Sequence, residues 1–375
     1  MKKVLSANEE RKMNSIKQIE VLYNKQQVGR LALTKEGLCA FEYSAKWIGS
    51  GFSISPFELP LRSGVFVAKP RPFDGGFGVF DDCLPDGWGL LILDRYLQQK
   101  GISPRTLSLL DRLALVGSTG RGALEFRPDN SVITRQDYVD FEELALEAEQ
   151  ILDSDDYTGK GIEEFQDRGG SPGGARPKIF VRYDNKEWLV KFRAKRDSQS
   201  IGIEEYRYSL LAKQCGIEMP ETRLFEDKYF GVERFDRTPN SKLHVVSVAG
   251  LIGADYRLPS IDYTHIFQVC FMLTHSVAEL WKVYRLMVFN HLIGNKDDHA
   301  KNFAFIYRDG DWHFAPAYDL LPSDGMNGFR TTSINDKIEP TKEDLFAVAI
   351  KAGLNGKEVT QEFERICEII KGMGI

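Results

Sequence analysis

The chain is poor in the residues that would give it a covalent or metal-built frame. Its five cysteines, Cys39, Cys83, Cys215, Cys270 and Cys367, are odd in number, scattered and without CxxC spacing, so neither a disulfide framework nor a zinc site is suggested. A reducing, cytoplasmic compartment is the simplest expectation. No apolar run approaches the roughly 20 residues of a membrane span, and the N-terminus is rich in Lys, Glu and Asn rather than signal-like. A large excess of either charge is missing too: the formal net charge of -5 argues against a chain built mainly to bind nucleic acid, with local basic patches left open. Repeats and low-complexity tracts are absent. What remains is 375 residues, 42% hydrophobic and 27% charged, enough for two or three packed units of a globular protein.

Residues 1–15 lack an apolar period and read as a tail, with Met13 as a second candidate start. A β-rich unit is expected over 16–135. Ile19, Val21 and Tyr23 alternate, Asn24 and Lys25 turn the chain, Val28, Leu31 and Leu33 run on, and Pro85-Asp86-Gly87-Trp88 opens a helix. Its Gly75, Gly76 and Gly78 have the wrong spacing for a phosphate loop and read as a structural turn, and with no compact acid-base constellation the unit looks accessory.

Acidic Ser154-Asp155-Asp156 leads into the glycine-rich stretch Gly169 to Lys178, where backbone N–H groups can approach phosphate oxygens and Arg176 and Lys178 add charge. A hairpin turning at Asp184-Asn185 follows, and its second strand sets Lys191 between Val190 and Phe192. Such a lysine either lies on the exposed face of a half-buried strand or finds an anion, such as a nucleotide phosphate. Glu204 and Glu205 open the next helix, with Glu205 favoured as a partner for Lys191. Strands to Phe235 complete a small sheet, so 136–240 reads as one lobe and the helix-rich 241–375 as a larger one.

The densest signal lies in the larger lobe. A helical stripe of Leu280, Trp281, Tyr284, Met287 and Val288 stops at Gly294, and the polar run Asn295-Lys296-Asp297-Asp298-His299-Ala300-Lys301-Asn302 follows. Strands 303–307 and 312–315 around an Asp-Gly turn would then return Asp319 to within a residue or two of Asn302. Asp297 and Asn302, with four residues between them, have the spacing of a kinase catalytic Asp and metal-binding Asn, and Asp319 takes the place of the second metal ligand. The plainer alternative is a solvated loop after a core helix.

Together these motifs, Ser171-Pro172-Gly173-Gly174-Ala175-Arg176-Pro177-Lys178, the Lys191 strand, Val232 to Arg237, Gly294 to Asn302 and Pro316-Ala317-Tyr318-Asp319, resemble the HipA family of bacterial serine/threonine kinases, the toxin half of toxin-antitoxin pairs. Val28-Gly29, Leu59-Pro60-Leu61-Arg62 and Leu84-Pro85-Asp86-Gly87-Trp88 resemble that family's N-terminal domain, so the likeness covers nearly everything after Ile16.

The resemblance implies an α+β, two-lobed protein-kinase-like fold with a β-rich accessory domain and a helical C-terminal lobe. It implies ATP and Mg2+ as cofactors, Asp297 as the catalytic acid that orients the hydroxyl, and Asn302 and Asp319 as metal ligands. Gly173, Gly174, Ala175, Arg176, Pro177, Lys178 and Lys191 would meet the phosphates, Glu233, Arg234 and Phe235 the adenine, with His299, Ala300, Lys301 and Tyr318 close by. Ser171 aligns with the serine that the family phosphorylates on itself to expel the loop. The implied partners are a helix-turn-helix antitoxin and a protein substrate such as an aminoacyl-tRNA synthetase, with DNA reached only through the antitoxin and no membrane. The alternatives are a lipid kinase, because Asp297-x-His299-x-x-Asn302 also resembles a phosphoinositide-kinase loop, and a non-catalytic scaffold holding an antitoxin on DNA. A metal-dependent hydrolase would leave Lys191 unexplained.

Overall fold

Turn chemistry sets the register of the first hairpin. β1 (Gln18–Tyr23) and β2 (Gln26–Leu33) are joined by Asn24 and Lys25 at φ 45° and 67°, a left-handed pair whose twist suits antiparallel strands. The chain goes on through β3 (Cys39–Tyr43), α1 (Ala45–Ser50), β4 (Val65–Val67), α2 (Gly78–Asp81), α3 (Gly87–Gln99), α4 (Leu109–Val116) and β5 (Leu124–Arg127). The five strands form an antiparallel sheet in the order β4-β3-β2-β1-β5. Gly78 is a packing glycine: a Cβ there would meet the Gly250 backbone at 2.5 Å, where this unit presses on the larger lobe. The computed structural model describes residues 15–131, 139–154, 157, 159–169 and 174–373. Ser171 and Gly173, nearly all of the expected tail and the end of the expected 16–135 unit lie outside the described residues.

The smaller lobe holds α5 (Phe141–Asp153), α6 (Gly161–Gly169), β6 (Lys178–Tyr183), β7 (Lys186–Lys191), α7 (Ile201–Gln214), β8 (Thr222–Phe225) and β9 (Tyr229–Glu233), its sheet ordered β6-β7-β9-β8. The β6–β7 turn uses Asp184 and Asn185, again at positive φ. Ile179, Val181, Trp188 and Val190 point to one face of the sheet and share a core with Leu144, Ile151 and Phe165 of α5 and α6. Trp88 and Ile92 of α3 belong to that same core, so the first unit packs into this lobe as well.

The larger lobe runs through β10 (His244–Ser247), α8 (Val248–Ile252), β11 (Ile261–Asp262), α9 (Tyr263–Thr274), α10 (Val277–Leu292), β12 (Ala304–Arg308), β13 (Asp311–Phe314), β14 (Thr332–Ser333), α11 (Lys342–Lys351) and α12 (Gly356–Gly372). The expected hairpin forms as β12 and β13 around Asp309-Gly310, and β10 joins its outer side. Leu280, Tyr284, Met287 and Val288 of α10 are buried, and the Tyr284 hydroxyl donates to the Val359 carbonyl of α12 at 2.8 Å. Thr341 and Asp344 make a capping box at the start of α11. One hydrophobic core runs without a break from the five-stranded sheet into α9, α10 and α12.

Candidate active site

The two-residue period of β6 and β7 decides what faces the cleft. Lys178 lies directly opposite Lys191 and Phe180 opposite Leu189, so both lysines project from the face that α5 and α6 do not cover. The Lys191 side chain is only 10% exposed, and its Nζ donates to Glu205 Oε1 at 2.5 Å and Asp319 Oδ1 at 2.8 Å. Burial pulls its pKa down, but the charges of Asp319 and Glu205 outweigh burial and hold it protonated. Lys191 in turn keeps Asp319 ionised well below the usual carboxylate range. Burial raises Glu205, with Lys191 offsetting it in part. Burial and the neighbouring Lys191 charge bring Lys178 down to about 8.

Below this sheet the loop after α10 is built by hydrogen bonds from its own polar residues. Asn295 donates from Nδ2 to Asn290 Oδ1 at 3.1 Å and accepts the Asp297 N–H on its own Oδ1 at 3.1 Å. Asn302 Nδ2 donates to the Asp297 carbonyl at 2.9 Å and closes the loop. Asp298 is fully buried, accepting from the Tyr263 hydroxyl at 2.8 Å and Arg330 Nη1 at 3.2 Å, while its carbonyl takes the Thr332 hydroxyl. With Asp298 anchored inward, Asp297 is left exposed. Although its side chain reaches solvent, the protein around it partly desolvates the Asp297 carboxyl and raises it, with His299 pulling the other way and the Asp319 charge adding to the rise.

Between sheet and loop lies a cavity of about 370 Å3. Of the residues read from sequence it is lined by Gly174, Ala175, Lys178, Lys191, Glu233, Arg234, Phe235, His299, Lys301, Asn302, Tyr318 and Asp319. Phe235 stacks on Tyr318, with centroids 6.1 Å apart at 21°, and Phe180, Leu189, Phe230 and Val232 make an apolar roof suited to a flat aromatic ligand. The Arg234 N–H already donates to the Glu187 carbonyl at 2.8 Å.

Four expected residues are not in that wall. Arg176, read as charge for the phosphates, instead forms a bidentate pair with Asp197 at 2.9 and 3.1 Å, which braces the start of β6. Pro177 accepts the Phe192 N–H on its carbonyl at 2.8 Å, and Ala300 is packed into the core. Asp297 stands exposed beside the cavity rather than in it.

Sequence reasoning missed the contribution of the first unit. Asp82, Leu84, Asp86, Gly87 and Arg121 line the same cavity, and Lys301 Nζ reaches Asp81 and Asp86 at 3.1 Å each while lying 4.0 Å over the Tyr256 ring. Arg121 Nη2 donates to the Tyr318 hydroxyl at 2.8 Å, which donates on to the Lys301 carbonyl at 2.6 Å. The first unit thus supplies the acids of an acid-base cluster whose base comes from the larger lobe. Its acids find their base more than 200 positions away in the chain, so no local spacing could flag it.

Oxygen donors are available for a hard cation. Asp319 is held ionised, and the Asn302 hydrogen bond through Nδ2 leaves its Oδ1 to act as a ligand. Among the described residues there is no cluster of three or more His, Cys, Asp or Glu arranged to hold a metal. The set fits Mg2+ that arrives with a phosphate ligand rather than one caged by protein alone.

A family model of the HipA-like C-terminal domain matches residues 170–373, and one of the HipA N-terminal domain matches residues 19–127. The chain belongs to the HipA family. Its relatives include Y4dM of Sinorhizobium fredii, named as a kinase, 25% identical over 377 residues that cover 92% of this chain and 88% of the relative. The serine/threonine-protein kinase toxin HipA of Shewanella oneidensis is 23% identical over 359 residues, covering 84% and 78%. In a solved complex of HipA, HipB and operator DNA from Shewanella oneidensis MR-1, a chain 21% identical matches with a TM-score of 0.69, covering 94% of this chain and 90% of that one. The fold is thus the two-lobed, HipA-like kinase fold. Among the described residues, no helix is long and apolar enough to cross a membrane.

Proposed function

We propose that this HipA-family chain is an ATP- and Mg2+-dependent serine/threonine protein kinase. The observation that carries the reading is Lys191 held between Glu205 and Asp319 at the edge of the cavity. Lys191 and Lys178 bind the nucleotide phosphates, the Gly174-Ala175 backbone lies along them, and the adenine enters between the apolar roof and the 233–235 segment. Asn302 and Asp319 would hold Mg2+, which would offset phosphate charge. Asp297, exposed beside the cavity, orients the incoming hydroxyl and takes its proton.

The wider assignment follows from kinship. A helix-turn-helix antitoxin is the proposed partner, in keeping with the HipB of the solved complex, and DNA is reached through it. The proposed substrate is a translation-related protein such as an aminoacyl-tRNA synthetase, and Ser171 is the proposed site of self-phosphorylation.

Intact-mass and peptide mass spectrometry before and after Mg-ATP tests this reading, with Asp297→Asn and Ser171→Ala alongside. One phosphate on Ser171 is expected, formed about 100- to 10,000-fold more slowly in Asp297→Asn. No phosphate at any position, before or after ATP, would sink the protein-kinase reading even if ATP binds.

A further inference from the structure

Asp86 occupies the N-cap position of α3, where an aspartate ordinarily accepts N–H groups of its own helix, yet it makes no such bond. Its two oxygens are engaged elsewhere. Oδ1 accepts the Gly174 N–H at 2.5 Å, and Oδ2 accepts Lys301 Nζ at 3.1 Å. Two positions on, the Trp88 N–H donates to the Gly174 carbonyl at 3.0 Å. Both backbone polar groups of Gly174 are thereby held by one turn of the N-terminal unit. Gly87 permits this approach: it sits at φ 47°, and a Cβ there would meet the Gly174 carbonyl oxygen at 2.5 Å.

The rest of the turn is anchored. The buried Trp88 ring meets Phe165 of α6 edge-on, with centroids 5.0 Å apart. On the other side Lys301 is fixed by Asp81 and the Tyr256 ring. Burial alone would raise the Asp86 carboxyl, but Lys301 and the Gly174 N–H hold it below the usual range. One ionised carboxylate thus joins a glycine of the smaller lobe to the catalytic loop of the larger.

We propose that the Asp86-Gly87-Trp88 turn seats the glycine-rich segment at Gly174, and that Asp86, through Lys301, ties that seat to the catalytic loop as a positioning residue for the triphosphate. The proposal rests on the nucleotide reading above. Gly174 lines the cavity beside Lys178, so freeing it disturbs the phosphate end of the site and leaves the adenine end at Phe235 and Tyr318 alone. ATP and adenosine should therefore respond differently.

The test uses the full chain with Asp86→Ala and Asp86→Asn. Amide hydrogen exchange of the peptide containing Gly174 is followed without nucleotide, and calorimetry measures Mg-ATP and adenosine binding. Loss of a hydrogen bond to a charged group should weaken ATP about ten- to hundredfold in Asp86→Ala and leave adenosine within about twofold, with faster exchange at Gly174. Asp86→Asn keeps an acceptor for Gly174 but loses the pairing with Lys301, so it should fall between wild type and alanine. Equal weakening of both ligands would mark a general folding defect and overturn the proposal, as would wild-type exchange and ATP affinity in both variants. If the wild-type protein binds neither ligand, the nucleotide reading fails and the positioning role with it, while exchange still reports whether Asp86 holds Gly174.

Discussion

Lys191 shows how much one strand position decides. Sequence left it between an exposed face and an anion partner, and pairing with β6 and β9 turned it into the cleft, where two carboxylates wait. Lys191→Met would leave the buried Glu205 and the half-buried Asp319 without their cation. It should cost about 3–5 kcal/mol in urea denaturation and abolish ATP binding by calorimetry. Asp298 carries a pH signature of its own. Burial, only partly offset by Arg330 and Tyr263, pushes its carboxyl up to about 7, against 3.8 for a free aspartate. The folded chain then keeps a proton that the unfolded chain releases, so this group's contribution to stability is complete below about 3.8 and declines as pH rises to about 7. Asp298→Asn should flatten the melting temperature between those limits, and an unchanged slope would show that Asp298 does not titrate there.

At the scale of elements, what was legible rested on local rules. Paired turn residues at 24–25, 184–185 and 309–310 and the stripe of Val359, Phe363, Ile366 and Ile370 in α12 each declare their structure within a few residues. Gly310 offers a clean check, since it lies at φ 89° with nothing within 4 Å of a Cβ, so Gly310→Val would act on the backbone alone. A loss of about 1–3 kcal/mol is expected in urea denaturation. Elements the sequence hid depend on distant partners. β10 is a short run, buried throughout, whose pairing strand β12 lies some 60 positions on, and α6 is an acidic helix whose core-facing apolar residues are Ile162 and Phe165.

Across the whole molecule the N-terminal unit is not an appendage. Asp82 accepts the Ser247 N–H and hydroxyl at 2.6 and 2.8 Å, Asp236 accepts the Gly122 N–H at 2.7 Å, and Phe52 stacks on Tyr307 with centroids 3.7 Å apart. Cutting the chain at the expected 135/136 boundary would expose a continuous core and strip Trp88 and Ile92 from the smaller lobe. A fragment of residues 136–375 should lack a cooperative transition in denaturant titration followed by near-ultraviolet circular dichroism. A sharp transition would mean that the parts fold independently.

By itself the sequence determined the elements with local periods and turns, and the spacing that marks Asp297, Asn302 and Asp319, because each is written in neighbouring residues. Only the tertiary structure decided that Lys191 also meets Asp319, that Arg176 turns to Asp197, and that Asp86 joins Gly174 to Lys301. Those pairings depend on which buried charges meet when separate units close on one core, and no residue carries that information in its own neighbourhood.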